Sequence, residues 1–371
     1  MKVGIDTFGC AHGQSGLGSY LASLAANFKD DADASFELFG AEIDRYTYGA
    51  ENNLAYKAVA IPDTVFAARA WHMLLANGFA RRRRYDAVLY PAAAHLLPAA
   101  FRVPGVAVVN DVVSELLSAK DAVSLSVLLR GLKKADRVIV ASQFIRKDLE
   151  KLGVKSENMV VVHNGINHSM FYPRELVSPN LVDIKPFAIQ RPYFIYASRL
   201  SSAAKKHVEL IQAFTAFKEK TKLPHRLVLA GSEGASSDEV HKAAFASRAA
   251  SDIFITGFFP HESFPDLYSG SDGCIFPAVG EGVGLPVLEA MATGIPVACA
   301  KSGALGEIAG NNALFFNPDD IADMARAMET LALDKAERAR LIAGGIEWTK
   351  RFSWQKTAEK TLAVLREVSA R

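Results

Sequence analysis

The chain has 371 residues, half of them apolar and 22% charged, with a formal net charge of +2. That length and composition predict a soluble protein with two cores and exclude a disordered or fibrous chain. The near-neutral charge excludes a strong global attraction to nucleic acid, although Arg81, Arg82, Arg83 and Arg84 form a local basic block. The three cysteines, Cys10, Cys274 and Cys299, each lie in or beside an apolar segment. An odd count without a CxxC pair predicts reduced, buried thiols and no structural zinc. No signal-peptide pattern and no bilayer-length apolar run is present, so the expected location is cytoplasmic.

Strand-like apolar runs are predicted at residues 1–6, 35–39, 87–90, 106–110, 137–141 and 159–163, with helices at 20–28 and 143–152. Residues 65–84 mix Phe66, Trp71, Met73, Leu74, Leu75 and Phe79 with the arginine block. This stretch reads either as an amphipathic surface for anionic lipid or as a helix packed on its own domain. Residues 172–192, punctuated by Pro173, Pro179, Pro186 and Pro192, read as a linker. Strands then resume at 193–197, 226–230, 252–256, 273–277 and 296–300, with helices at 208–220, 263–269, 286–292 and 353–369. Repeated β-α alternation on both sides of one break predicts an α/β protein with two Rossmann-like, doubly wound parallel-sheet domains, at 1–175 and 190–350. Ligands of such sheets sit at the carboxyl ends of strands, so functional residues are expected in strand-to-helix loops.

The most informative segment is FPAVGEGVGLPVLEAMATGIPVACA, residues 276–300. Glu281 and Glu289 are separated by seven residues, with Gly282, Val283, Gly284 and Leu285 between them. Pro286 sits where a helix begins, a position at which its missing N–H is not needed. Such a helix start attracts phosphate, and a carboxylate one turn in can accept two hydroxyl hydrogen bonds, as from a ribose. The segment resembles the donor-site signature of glycosyltransferase family 4, whose members have the GT-B fold. The resemblance implies that Glu281 contacts donor-sugar hydroxyls and that Glu289 contacts the ribose. Val283 stands where the family often has phenylalanine.

Further positions carry the same resemblance. Ser198, Arg199 and Lys205, in the phrase SRLSSAAKKH, are similar to the family's phosphate-binding loop, with Lys206 as the rival lysine. Gly16 and Gly18 resemble the N-terminal glycine loop, and Gly257 and Phe258 the loop that binds the base. Ser302, Gly303 and Glu307 resemble a later loop whose role is left unassigned. Relatives often carry His-Asp after a central N-domain strand. Here the pair is Asn110-Asp111, which leaves Asp111 to orient the acceptor and His95 as a second candidate nearby. A literal DxD, Asp31-Ala32-Asp33, lies at the wrong end of the sheet for a metal-held diphosphate and reads as a solvated turn.

The resemblance implies a retaining glycosyltransferase with Arg199, Lys205, Glu281 and Asp111 at the reaction site. It takes a nucleoside-diphosphate sugar as donor and a glycan or lipid-linked acceptor, with no metal or other cofactor. The C-terminal helix, 353–371, is expected to pack back on the N-domain, anchored by Phe352 and Trp354. Residues 65–84 are the candidate peripheral contact with the inner membrane face. A GT-B-like sugar-nucleotide epimerase and a degenerate nucleotide-sugar-binding protein share the architecture and remain as alternatives.

Overall fold

The computed structural model describes the chain except residues 14, 29–32, 50–53, 119–121, 176–179, 185–186 and 371, with backbone alone at 117–118 and 122–125. Two compact units emerge: Met1–Gly165 with Phe352–Arg371, and Ile166–Arg351. The first holds a seven-stranded parallel sheet ordered β3-β2-β1-β4-β5-β6-β7. Its strands are β1 (Lys2–Asp6), β2 (Ser35–Gly40), β3 (Ala55–Ala58), β4 (Ala87–Tyr90), β5 (Gly105–Val109), β6 (Arg137–Val140) and β7 (Met159–Val161). Every residue of β4 and β5 is buried, as a strand covered by helices on both faces requires.

The helix Trp354–Ser369 supplies Ala358, Leu362, Leu365 and Val368 to this unit's core, beside Leu21, Leu24 and Val106. Its first turn is tied to the end of the first stretch. A Cβ on Gly165 would lie 2.1 Å from the Trp354 nitrogen, so only glycine permits that approach. Ser353 caps the helix by accepting from the Lys356 N–H at 3.3 Å, and Trp354 packs edge-on against Tyr20 at 5.7 Å.

The second unit holds a six-stranded parallel sheet ordered β12-β11-β10-β13-β14-β15, and a separate antiparallel pair, β8 (Leu181–Ile184) with β9 (Phe187–Gln190). The six strands are β10 (Tyr193–Ala197), β11 (Arg226–Ala230), β12 (Ile253–Gly257), β13 (Gly273–Phe276), β14 (Val297–Ala300) and β15 (Leu314–Phe316). In both units the winding direction reverses, at β1/β4 and at β10/β13.

The structure corrects three expectations. Residues 166–175 belong to the second unit, because Phe171 is buried against Tyr268 and His261, and Arg174 pairs with Asp266 at 2.7 Å. The expected linker contains the β8/β9 pair, whose alternating exposed and buried residues are masked in sequence by the surrounding prolines. Pro179 and Pro186 lie outside the described residues. Strands β3 and β15, four and three residues long, are too short to show a period.

Residues 65–84 pack on their own domain, as one of the two readings expected, and leave part of their apolar surface exposed. They form two helices, Val65–Leu74 and Ala76–Arg83. Trp71 is buried among Phe8, Phe39 and Phe79, while Phe66 and Leu74 are 82% and 75% exposed. His72 is buried beside Trp71, with Nε2 2.6 Å from Asp6 Oδ2 and Nδ1 2.6 Å from the Ala68 carbonyl. Both ring nitrogens face acceptors, which favours the imidazolium. Burial pulls its pKa down, but the Asp6 carboxylate outweighs that and holds it above the ordinary value.

The stability from this pair is therefore fully present below the unfolded histidine pKa, about 6.5, and is lost as pH rises through the higher folded value. Urea unfolding of wild type and His72→Gln should show a wider stability gap at about pH 6 than at about pH 9. A gap that widens with pH would contradict the imidazolium assignment.

Candidate functional site

The reversal of strand order in the second unit places the loops after β10 and β13 side by side at its carboxyl edge. The β10 loop begins with Ser198, Arg199 and Leu200 and ends at the helix His207–Thr221. Its path is held from within: the buried Tyr196 hydroxyl donates to the Lys205 carbonyl at 2.9 Å, and the Val279 N–H donates to the Ala204 carbonyl at 2.8 Å. The first contact fixes the β10 loop on its own strand, and the second laces it to the β13 loop.

Across that seam Lys205 Nζ donates to Glu281 Oε2 at 2.9 Å, with both side chains mostly buried. Lys206 is engaged elsewhere. It adopts a left-handed φ of 56° at the start of the following helix and pairs with both Glu209 and Asp319 at 2.8 Å. Hydrogen bonding to Asp319, then to Glu209, raises its pKa. Arg199 is exposed on the same loop, its Nε donating to the Glu233 carbonyl at 3.3 Å.

Glu281 is held by its main chain as well. The Ala304 N–H donates to its carbonyl at 2.8 Å, and a Cβ on Gly303 would lie 2.5 Å from that same oxygen. The loop after β14 therefore needs glycine at 303 to cradle the glutamate backbone. After Gly282 and Val283 comes Gly284, at φ 69°, as the cap of the helix Leu285–Ala292, with no side-chain hydrogen bond at that cap and Pro286 in the first turn. Glu289, one turn in, is only 8% exposed. Its Oε1 lies 3.0 Å from His261 Nε2.

The structure thus gathers Lys205, Glu281, Gly282, Val283, Gly284, Leu285 and Glu289 about one seam, with Ser198 and Arg199 on the same β10 loop. Gly257 ends β12, on the far side of β11, and Phe258 follows it. Gly257 has φ 75° with open space where a Cβ would stand, and Phe258 is 74% exposed. Sequence reasoning missed His261 as the partner of Glu289 and the cradling role of Gly303. A histidine 28 positions away carries no local signal of that pairing, and Gly303 was legible only as part of a later loop.

Gly16, Gly18, His95, Asn110 and Asp111 lie in the first unit. Gly16 has open space around it, whereas a Cβ on Gly18 would strike the Cys10 carbonyl at 2.6 Å, so Gly18 makes room for this chain's own loop. His95 Nε2 is 3.2 Å from Asp111 Oδ2. The Asn110 side-chain amide is buried without a hydrogen-bond partner. Of the DxD stretch, Asp31 and Ala32 lie outside the described residues. Cys10, Cys274 and Cys299 are buried, and burial pushes the Cys299 thiol up to about 12. No helix among the described residues is long and apolar enough to cross a membrane.

Residues 179–348 match the family described as Glycosyl transferases group 1, and residues 15–170 match Glycosyltransferase Family 4. The O-antigen chain mannosyltransferase B of Escherichia coli is 27% identical over 237 residues, covering 63% of this chain and 61% of that protein. The sulfoquinovosyl transferase SQD2 of Arabidopsis thaliana is 26% identical over 234 residues, covering 62% of this chain and 44% of that one. The chain thus matches less than two thirds of either relative's length. Among solved structures, Anabaena HepE in complex with UDP and glucose superposes with a TM-score of 0.75 at 19% identity, covering 99% of this chain and all of that one. The sucrose-phosphate synthase of Thermosynechococcus elongatus gives 0.77 at 17% identity, covering 100% and 99%. These likenesses establish the GT-B fold. With two family matches that together span nearly the whole sequence, the chain belongs to the group 1 glycosyltransferases of family 4.

Proposed function

We propose that this protein moves a sugar from a nucleoside-diphosphate sugar to an acceptor hydroxyl in glycan, polysaccharide or glycolipid assembly. The observation that carries this reading is the Lys205–Glu281 pair beside the Gly284-capped helix start, at the crevice where β10 and β13 diverge. A helix start favours anionic oxygens, and Arg199, with Lys205 as it turns from Glu281 to the phosphate, supplies positive charge on the adjoining loop. Charge that develops on a departing diphosphate is met there by groups already in position. No metal is required for that neutralisation. Glu281 is then the group that meets donor-sugar hydroxyls, and Glu289 the ribose.

Transfer with retained anomeric configuration follows from the family resemblance. A same-face attack balances without a protein nucleophile. The acceptor oxygen bonds to the anomeric carbon as the carbon–oxygen bond to the diphosphate breaks. The departing phosphate oxygen takes the acceptor's proton. Asp111, paired with His95, is the first-unit group assigned to acceptor orientation.

The test is release of nucleoside diphosphate from UDP-, GDP- and ADP-sugars, with and without EDTA, in the presence of glycan acceptors. One nucleotide class should support acceptor-dependent release that EDTA does not change and that yields a retained linkage by NMR. Lys205→Ala should lower the rate about 10²–10³-fold, the scale of losing one group that stabilises developing charge. Lys206→Ala should leave it within a few-fold. Turnover without an acceptor would instead mark an epimerase, and a strictly inverted product would overturn the same-face attack.

A peripheral membrane location at the inner face is part of the proposal, supported by Phe66, Met73, Leu74 and Leu75, all more than half exposed near Arg81, Arg82 and Arg84. Anionic phosphatidylglycerol vesicles should sediment wild type, and Phe66→Asp with Leu74→Asp should abolish this. Equal recovery of both forms in the supernatant would contradict it.

A further inference from the structure

We propose that His261 is a positioning residue that makes nucleotide binding at this site selective for ribose over 2′-deoxyribose, by holding the Glu289 carboxylate in place. The inference rests on the donor-site reading above, and in particular on Glu289 as the group that meets the ribose.

A carboxylate that is 8% exposed is costly to keep ionised and oriented unless a donor meets it. His261 Nε2 meets Oε1 at 3.0 Å. The imidazole is 54% exposed, and aromatic rings pack against it from the protein side. Its ring lies 5.3 Å from that of Phe171, which is fully buried, and 6.3 Å from that of Phe264. Because His261 occupies Oε1, Oε2 is left as the acceptor for an incoming hydroxyl, and the direction in which it points is set by the histidine. A carboxylate free to rotate would lose part of the hydrogen-bond geometry that distinguishes a ribose from its deoxy form. Sites built to hydrogen-bond a hydroxyl discriminate strongly against the analogue that lacks it.

The charged groups around His261 agree with this arrangement. Its hydrogen bond to Glu289 is the largest influence on its pKa, which is raised although partial desolvation opposes the rise, with Glu262 on its own turn adding to it. The neighbouring Tyr268 hydroxyl is buried, and burial first, then the Glu289 charge, keeps it protonated. Arg174 and Asp266, on adjacent elements, are paired with each other at 2.7 Å.

The experiment is calorimetric titration of the full-length protein with UDP, GDP and ADP and with their 2′-deoxy counterparts. Variants are His261→Ala and His261→Gln, whose amide can still donate. Wild type should bind the preferred ribonucleotide at least about tenfold more tightly than its deoxy form, the scale of one hydrogen bond to a charged group. His261→Ala should weaken ribonucleotide binding about 5–10-fold while leaving deoxynucleotide binding nearly unchanged, so that the ratio collapses. His261→Gln should restore most of the ratio. In wild type the ratio should fall no lower than that of His261→Gln as pH rises through the raised histidine pKa, because the neutral imidazole can still donate from Nε2, and in His261→Gln it should stay flat. Using the ratio cancels titration of the phosphates, which both ligands share.

An unchanged ratio in His261→Ala would overturn the proposal, as would equal weakening of ribo and deoxy forms, which marks a merely structural contact. Wild type that binds both forms equally would overturn it while leaving the donor site intact. Wild type that binds no nucleotide would overturn the donor-site reading itself, and this proposal with it.

Discussion

The arrangement depends on one topological constraint, the reversal of winding at β10. Because β11 lies on one side of β10 and β13 on the other, the two loops leaving β10 and β13 diverge and leave a crevice between them. The groups assigned to the diphosphate and the donor sugar are built on that crevice. The β10 loop brings Lys205, the β13 loop brings Glu281, and the two meet at 2.9 Å. Opposite charges held together in a mostly buried seam have value only if their geometry is enforced. The enforcement is visible in the Tyr196 hydroxyl under Lys205, the Val279–Ala204 main-chain bond and the Gly303 cradle under Glu281.

The first unit uses buried polar pairs in a comparable way. Asp6, at the end of β1, holds His72. Asp44 accepts from the Thr7 hydroxyl at 2.5 Å and lies 2.7 Å from His12. These pairs fix the loop that follows β1, which is also where the left-handed residues Ala11 and His12 occur. Asn110 stands where relatives often carry histidine, and its amide lacks the hydrogen bonds that a buried amide normally makes. By the resemblance, the first unit therefore departs at the position implicated in contacting the donor sugar or reaction centre, while the second keeps the family's phrase almost intact.

Much of this was legible in the amino-acid order. The long apolar strands and the phrase around Glu281 and Glu289 announce themselves because they are continuous: periodicity and local spacing carry them. The preference for Lys205 over Lys206 came from the resemblance, through its place nine residues before Phe214. What could not be read depends on contacts between distant positions. The β8/β9 pair is hidden by prolines on either side, and the attachment of Phe171 to the second unit is set by Tyr268 and His261, almost a hundred residues later. The His261–Glu289 contact joins a turn and a helix with no shared motif. Gly18 was legible as part of a glycine loop, but only the structure distinguishes a glycine that clears space for its own chain from Gly16, which opens to solvent.

The most direct measurement is a crystal structure of the protein with whichever nucleoside diphosphate binds it most tightly. The account predicts the diphosphate against Lys205, Arg199 and the Gly284-capped helix start, with the ribose hydroxyls at Glu289. A nucleotide seated elsewhere on the second unit, with Lys205 still closed on Glu281, would contradict it.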